Sequence, residues 1–398
     1  MSSHILDDEV FQYTGSETIP KDVTIVSFDC SVVDVEDQTF KECTKLKEVV
    51  LNEGLQTIGA GAFKGCLSLE RIVLPSTVTE IGVEAFCNCC TKLREVVLNE
   101  GLEKIGYGAF CRCRSLQSIT IPSTVTDIGK LGFQGCRGLR EIALNDGLNK
   151  ISNRVFEECH TLESITLPST VTNIDEDAFV VCRSLREVVL NEGLVKIGNN
   201  AFGGCKSLER ITLPSSLVEI DNYGFNMCIN LREIVCVEGL PKIGYNIFYN
   251  CSSIERRITF PNISTRLDNI IQAGQVDAQN KVQQCINQSV IEWRRGGTIY
   301  IPVEVTRRRD IWTELKQRVD RIVSWIKYHE LKEATTLFEL ALWKAKIDQL
   351  GDDIYAHDRK KAKLDPAEGD IDRHDDRSSF RVDVPGPVKD AIMQYLDL

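Results

Sequence analysis

The 398-residue sequence predicts a solenoid, an α/β repeat fold in which short, similar units stack along one axis. The main observation is a tetrad of the form Phe-x-x-Cys, which recurs at spacings of 23 residues with a single spacing of 24. The tetrads begin at Phe40, Phe63, Phe86, Phe110, Phe133, Phe156, Phe179, Phe202, Phe225 and Phe248. A unit this short cannot bury its own apolar face, so neighbouring units must stack to form one continuous core.

Each unit contains a strand, a turn and the tetrad. Alternation of apolar and polar residues across 165–167 predicts a short strand with one buried face. The turns alternate between Asn-Glu-Gly, as at 52–54, and Pro-Ser-Thr, as at 75–77. The Ala-Phe-x-x-Cys piece predicts one helical turn, with Phe and Cys on the same inward side. The resulting buried ladder includes Phe63, Cys66, Phe133, Cys136, Phe179, Cys182, Phe202 and Cys205, in which the cysteines act as small buried hydrophobes.

These units resemble the BspA-type leucine-rich repeat family, which has 23-residue units ending in Ala-Phe-x-x-Cys and Ile-Pro-x-x-Val-Thr-x-Ile-Gly strands. The match covers about residues 23–258. One period before the first full unit, Val26, Phe28, Val32 and Val35 fall on core positions, which predicts a degenerate capping unit. The resemblance implies a right-handed leucine-rich-repeat solenoid with a parallel β-sheet that binds other macromolecules and performs no catalysis. Many relatives are secreted or lie on the cell surface.

The chain divides into four predicted segments. Residues 1–260 form the solenoid, and residues 261–350 form a mainly helical region. This region is expected to cover the exposed end of the solenoid, and the alternative is a helical module that binds a partner or forms oligomers. In that region, apolar spacing predicts a helix over 276–295, a strand over 298–302 and a helix that includes Val319, Ile322 and Ile326. Residues 351–380 are charged and predict a flexible linker, and 381–398 predict a strand followed by a helix. The tail at 333–343 is similar to tails that follow such repeats in microalgal proteins.

The charge balance argues against nucleic-acid and membrane partners. The net charge is −11, and residues 1–260 carry almost all of it, with 25 basic and 35 acidic side chains. Binding to phosphate backbones or anionic membranes requires a positive surface. The N-terminus lacks the basic and apolar regions of a signal peptide, and no apolar run approaches about 18 residues. We therefore expect a cytoplasmic protein with mostly reduced thiols.

Two columns of outward-facing residues differ in charge between neighbouring units. The first reads Lys47, Glu70, Arg94, Gln117, Arg140, Glu163, Arg186, Glu209, Arg232 and Glu255, and the second begins Glu48, Arg71, Glu95. Because stacked strands lie about 4.8 Å apart, such charges could fix the register of the stack, or they could recognise a partner. The candidate binding residues on this face are Arg94, Arg140, Arg186, Arg232, Glu163, Glu209, Val97, Thr120, Thr166 and Thr212.

The sequence offers few candidates for chemistry. Cys87 and Cys111 occupy equivalent places in consecutive units, with Cys90 nearby, so a thiolate metal site and a redox pair are both retained as hypotheses. Cys159 precedes His160, but adjacent side chains usually point apart. The acidic and histidine residues at 357–376 and the arginines at 307–309 are more typical of solvated charge runs.

The sequence contains no nucleotide-binding, hydrolase or kinase motif, so we expect neither an enzyme nor a cofactor. The main hypothesis is a scaffold that binds a protein partner of unknown identity. The alternatives are a secreted or cell-surface adhesin, and an enzyme formed by residues 265–398. The oligomeric state is not determined by the sequence.

Overall fold

The computed structural model describes most of the repeat region and parts of the C-terminal third. The described residues are 10–89, 92–251, 257–260, 262, 265–266, 292–294, 298–300, 316–317, 319–324, 326–330, 341 and 344. The chain divides into two compact units, Met1–Val323 and Ser324–Leu398. The first unit contains the stacked coils, and they confirm the predicted parallel-sheet solenoid of about ten turns.

One side of each coil is a short strand, and together these strands form the strand face. They are β1 Val10–Tyr13, β2 Ile25–Phe28, β4 Glu48–Val50, β6 Arg71–Val73, β8 Glu95–Val97, β10 Ser118–Thr120, β12 Glu141–Ala143, β14 Ser164–Thr166, β16 Glu187–Val189, β18 Arg210–Leu213, β20 Glu233–Cys236 and β22 Arg257–Thr259. The pairing is parallel and in register, for example Ile165 beside Val188. The central residue of each strand points into the core, as the period-two alternation predicts.

A second set of strands, two residues each, follows the turn of every coil. They are β3 Asp34–Val35, β5 Thr57–Ile58, β7 Glu80–Ile81, β9 Lys104–Ile105, β11 Asp127–Ile128, β13 Lys150–Ile151, β15 Asn173–Ile174, β17 Lys196–Ile197, β19 Glu219–Ile220 and β21 Lys242–Ile243. These strands also pair in parallel, coil to coil. Their apolar residues close the core on the side next to the strand face.

The third side of each coil, which we call the turn ladder, contains the Phe-x-x-Cys tetrads, and the predicted helical turn is wrong there. Two residues in each coil have φ between +52° and +76°, one of them two positions before the Phe and the other two positions after it. A left-handed residue at every fourth position stops a helix from forming. In one coil the Cys182 amide donates to the Phe179 carbonyl, while the Phe179 and Val181 amides donate to the carbonyls of Ala201 and Gly203 in the next coil. The turn ladder is therefore held by hydrogen bonds between coils.

The core contains a continuous stack of phenylalanine rings. Successive rings from Phe40 to Phe248 lie 5.1–5.9 Å apart between centroids and are tilted by no more than 19°. At the N-terminal end, Tyr13 meets Phe28 and Phe40 edge-on at 5.0 and 5.2 Å. Tyr13 is thus the last ring of the stack, on strand β1, which the sequence did not predict. Val26, Phe28, Val32 and Val35 are buried, as expected for core positions of a capping unit.

The ladder cysteines are buried as predicted, but they also donate hydrogen bonds. From Cys66 to Cys251, each thiol in the ladder lies 3.0–3.3 Å from the carbonyl oxygen of the Phe in the preceding coil. That oxygen also accepts the amide of the Cys in its own coil, as Phe133 does from Cys136. Each ladder cysteine therefore fills the core and links two coils.

The alternating turns link each coil to the one before it. Asn191 donates from Nδ2 to the Pro168 carbonyl and, at 3.0 Å, to the Val171 carbonyl, while its Oδ1 accepts the Gly193 amide at 2.7 Å. The intervening Pro-Ser-Thr turn uses hydroxyls instead, as where Thr170 donates to Leu148. The two turn types make different bonds, which explains a structural period of two coils.

At the C-terminal end the sheet changes direction. Two further strands, β23 Glu292–Arg294 and β24 Thr298–Tyr300, form an antiparallel extension of β22. The strand over 298–302 is confirmed at 298–300, whereas the helix predicted over 276–295 is wrong at 292–294, where a strand occurs. Residues 276–291 lie outside the described residues.

Only part of the predicted helical cap is described. Residues 316–317, 319–324 and 326–330 are helical, and Val319, Ile322 and Ile326 are buried as their spacing predicts. Within the first unit, Lys316 Nζ donates to the Leu240 carbonyl at 2.8 Å. The segment boundaries at 260, 350 and 380 stay predictions, and residues 351–398 lie outside the described part of the chain.

Candidate functional site

The strand face presents the predicted charged columns to solvent. Arg94, Arg140, Arg186 and Arg232 are exposed, and we call them the arginine stripe. Among the described residues, none of these four forms an ion pair within 4.0 Å. The acidic residues between them, Glu163 and Glu209, are also exposed. The stripe therefore has guanidinium groups available at every second coil.

The second column behaves differently, because some of its charges pair across adjacent coils. Arg71 contacts Glu95 at 3.0 Å, and Arg210 contacts Glu233 at 3.4 Å. An ion ladder that fixes register is thus formed only in part on this face. Exposed pairs of this kind contribute about 0–1 kcal/mol each.

Small side chains lie beside the arginine stripe. Thr120, Thr166 and Thr212 are exposed, and Val97 is half-buried, as expected for an outward column. The repeat also predicts an outward-facing Val235 at the equivalent position on β20, and this prediction is wrong, because Val235 is only 5% exposed. The column forms a flat floor over most of its length and is covered at its C-terminal end.

A shallow groove of about 570 Å³ crosses the N-terminal part of the strand face. Its lining includes Lys47, Glu48, Val50, Glu70, Arg71 and Val73. The groove combines both signs of charge with an apolar floor. These features favour a peptide or protein surface over a buried small molecule.

Opposite charges also pair along two parts of the second set of strands, between β7 and β9 and from β17 to β21, and sequence reasoning missed these pairs. Lys104 contacts Glu80 at 2.9 Å, and Glu219 lies between Lys196 and Lys242 at 3.4 and 2.8 Å. The residue before the buried Ile of each unit alternates in sign along much of the chain, which was the available signal. These charges are used within the fold.

The structure brings Cys87 and Cys111 together on the turn ladder. Both are buried free thiols, hydrogen-bonded to each other, and Cys111 also donates to Gln134 Oε1 at 3.3 Å. The bond to Cys87 lowers the pKa of Cys111 and raises that of Cys87. Over the described residues no group of three or more metal-ligating side chains occurs, and Cys90 lies outside them.

The other candidate for chemistry, Cys159 beside His160, does not form a reactive pair. Cys159 is fully buried and donates to Phe133, and burial raises its pKa well above the usual value. Burial lowers the pKa of the neighbouring His160. A buried, protonated thiol is a poor nucleophile. The charge runs at 307–309 and 357–376 lie outside the described residues.

Comparison with known proteins identifies the repeat. A family model described as BspA type leucine-rich repeat region, in six copies, matches residues 19–140, 57–184 and 149–273. No curated protein matches the chain. Within the described residues, no helix has both the length and the apolar character needed to cross a bilayer.

Several solved structures are similar. A leucine-rich repeat protein from Bacteroides ovatus is 24% identical, with 62% of this chain and 86% of that one covered and a TM-score of 0.37. The T. pallidum leucine-rich repeat protein is 30% identical over 48% of this chain and 79% of its own, with a TM-score of 0.35. The pneumococcal vaccine antigen PcpA is 20% identical over 61% and 70%, with a TM-score of 0.39.

Proposed function

Because the chain belongs to the BspA-type leucine-rich repeat family, we propose that it is a non-enzymatic scaffold that binds a protein partner along its strand face. The observation that carries the proposal is the arginine stripe. Its four guanidinium groups are exposed and form no ion pair within the described residues, although other charges on the same face do. An unpaired charge contributes little to the fold and is available to a partner.

The spacing of the stripe suggests the chemistry of that partner. Parallel strands lie about 4.8 Å apart, so arginines on every second coil are about 10 Å apart. One turn of a polyproline II helix contains three residues and rises about 9 Å, so every third side chain lies on the same face at nearly this spacing. A partner segment with an acidic side chain at every third position, lying along the solenoid axis, would match the stripe.

The test compares two triple variants in affinity capture followed by mass spectrometry. The first reverses Arg94, Arg140 and Arg186 to Glu. The control reverses Arg114, Arg183 and Lys206, which are exposed basic residues outside the stripe. We expect the stripe variant to lose partner capture by at least about tenfold with little change in melting temperature, because interface charges act mainly on association. The control should retain capture.

Equal loss in both variants would indicate a non-specific effect of net charge. A stripe variant that melts earlier and still captures the partner would show that the stripe is structural, and the proposal would be wrong.

The proposal places this interaction in the cytoplasm. Its support is that fourteen described cysteines are free thiols, which is typical of reducing compartments. The alternative is a cell-surface, adhesin-like role, the location of many relatives of the repeat. Immunodetection on intact and permeabilised cells separates the two, because only a surface protein is labelled without permeabilisation.

A further inference from the structure

Cys87 and Cys111 occupy equivalent positions in two consecutive coils of the turn ladder. The Asn88 amide donates to the Cys111 carbonyl at 2.8 Å, so the two backbones are hydrogen-bonded beside the thiols. Neighbouring chains in such a ladder lie about 5 Å apart. That separation falls within the range of about 4.4–6.8 Å between Cα atoms that a disulfide requires.

The two thiols differ in access and in charge preference. Cys111 is 8% exposed and Cys87 4% exposed, whereas the ladder cysteines around them are fully buried. The Cys87 hydrogen bond, and then the Arg112 charge, favour the thiolate of Cys111 and lower its pKa. The contact with Cys111, together with burial, raises the pKa of Cys87. Cys111 is the more exposed thiol and lies next to Arg112, and the thiolate is the nucleophile, so Cys111 is assigned as the attacking sulfur and Cys87 as the resolving one.

We propose that Cys87 and Cys111 form a thiol–disulfide exchange site that takes a low-molecular-weight disulfide of the glutathione type. The Cys111 thiolate attacks one sulfur of that disulfide, forms a mixed disulfide and releases one small thiol after protonation. Cys87 then loses its proton and attacks Cys111 Sγ, which expels the second small thiol. Two protein thiols are oxidised, one small disulfide is reduced, and the product is a disulfide that joins two coils.

The ladder cysteines provide an internal control. Cys136 and Cys159 are also offset by one coil, but both are fully buried and each donates its S–H to a Phe carbonyl. Burial raises the pKa of Cys136 to about 12. The two pairs therefore share the offset of one coil and differ in solvent exposure and in the pKa of their thiols.

The experiment incubates the full chain with oxidised glutathione at neutral pH and maps tryptic peptides without reduction. The expected product is a reducible link between peptide 72–92, which contains Cys87, and peptide 105–112, which contains Cys111. Because 72–92 also contains Cys89 and Cys90, the same mapping is done on Cys87→Ser, Cys90→Ser and Cys111→Ser. Circular dichroism checks that each variant is folded.

We expect the link in the wild type and in Cys90→Ser, and its loss in Cys87→Ser and Cys111→Ser. Cys87→Ser should instead accumulate glutathione on Cys111, because the resolving thiol is missing. A link that persists in Cys87→Ser would assign the chemistry to another cysteine and overturn the proposal. The absence of any link in the wild type, or an equal link between Cys136 and Cys159, would overturn it as well.

Discussion

Replacement of Cys136 tests whether the ladder cysteines act only as small apolar groups or also as hydrogen-bond donors. Cys136 is fully buried, and its thiol donates to the Phe110 carbonyl of the preceding coil at 3.1 Å. The same oxygen accepts the Cys113 amide at 3.2 Å. A change at Cys136 therefore leaves no buried carbonyl without a donor, and the measured effect reports on the side chain itself.

The expected magnitudes follow from what each substitution removes. Cys136→Ala removes one heavy atom from a close-packed core, at about 0.5–1.5 kcal/mol, together with one weak hydrogen bond. We expect a total loss of about 1–2 kcal/mol in the free energy of unfolding. Cys136→Ser keeps a donor facing the Phe110 oxygen, so its hydroxyl has a partner, and we expect it to lie within about 0.5 kcal/mol of the alanine variant. Without that partner, a buried hydroxyl would cost about 1–3 kcal/mol more.

The assay is urea denaturation followed by circular dichroism under reducing conditions. Because a solenoid can unfold a few coils at a time, midpoints are compared only between variants with the same denaturant dependence. Cys30→Ser, at an exposed position, is the control and should not change the midpoint. A serine variant that is less stable than the alanine variant by more than about 1 kcal/mol would refute the hydrogen-bonding role.

Two further predictions use the same assay. Val181 has φ of +61°, a conformation that costs a β-branched residue about 1–2 kcal/mol. Val181→Gly should therefore be about 1 kcal/mol more stable than the wild type, whereas Val180→Gly should be less stable than the wild type. A similar loss of stability in both variants would contradict the backbone argument. Burial raises the pKa of Cys43 from 9.0 to about 11 and that of Cys136 to about 12, whereas unfolded thiols ionise near 9. The stability that comes from keeping these thiols protonated in the folded state is fully present below about pH 9 and is lost as the pH rises toward 11–12. The urea midpoint should therefore fall steeply in that range, and less steeply in Cys136→Ala.

Much of the fold was predictable because one period dominates the chain. The buried positions of the Phe and Cys in each tetrad, such as Phe179 and Cys182, follow from the spacing alone, and so do the parallel strands. The conformation of the turn ladder does not, because inward-facing residues at i and i+3 fit a helical turn and a left-handed turn equally well. Glycine would have revealed the left-handed positions, but fifteen of the twenty carry another residue, Val181 among them.

The ends and the side-chain pairs were less predictable. Tyr13 lies outside the 23-residue register, so the aromatic ring that ends the stack has no repeat signal. The strand at 292–294 pairs with β24, and its extended form is fixed by that tertiary pairing, not by local apolar spacing. Sign alternation predicts which charges can pair, but Arg71 forms an ion pair with Glu95, whereas Arg94 forms none with any described residue. The outcome depends on side-chain geometry, which the sequence does not contain.

The contrast between paired and unpaired charges separates structural from functional roles on the strand face. The two-coil period is already enforced by the turns, since a shift of one coil would bring Asn191 against another Asn turn and remove its bonds to Pro168 and Val171. Surface ion pairs such as Arg71–Glu95 add at most about 1 kcal/mol to that preference. The arginine stripe repeats with the same period and forms no ion pair among the described residues, so register does not account for it. The proposed partner with matching acidic groups would account for it.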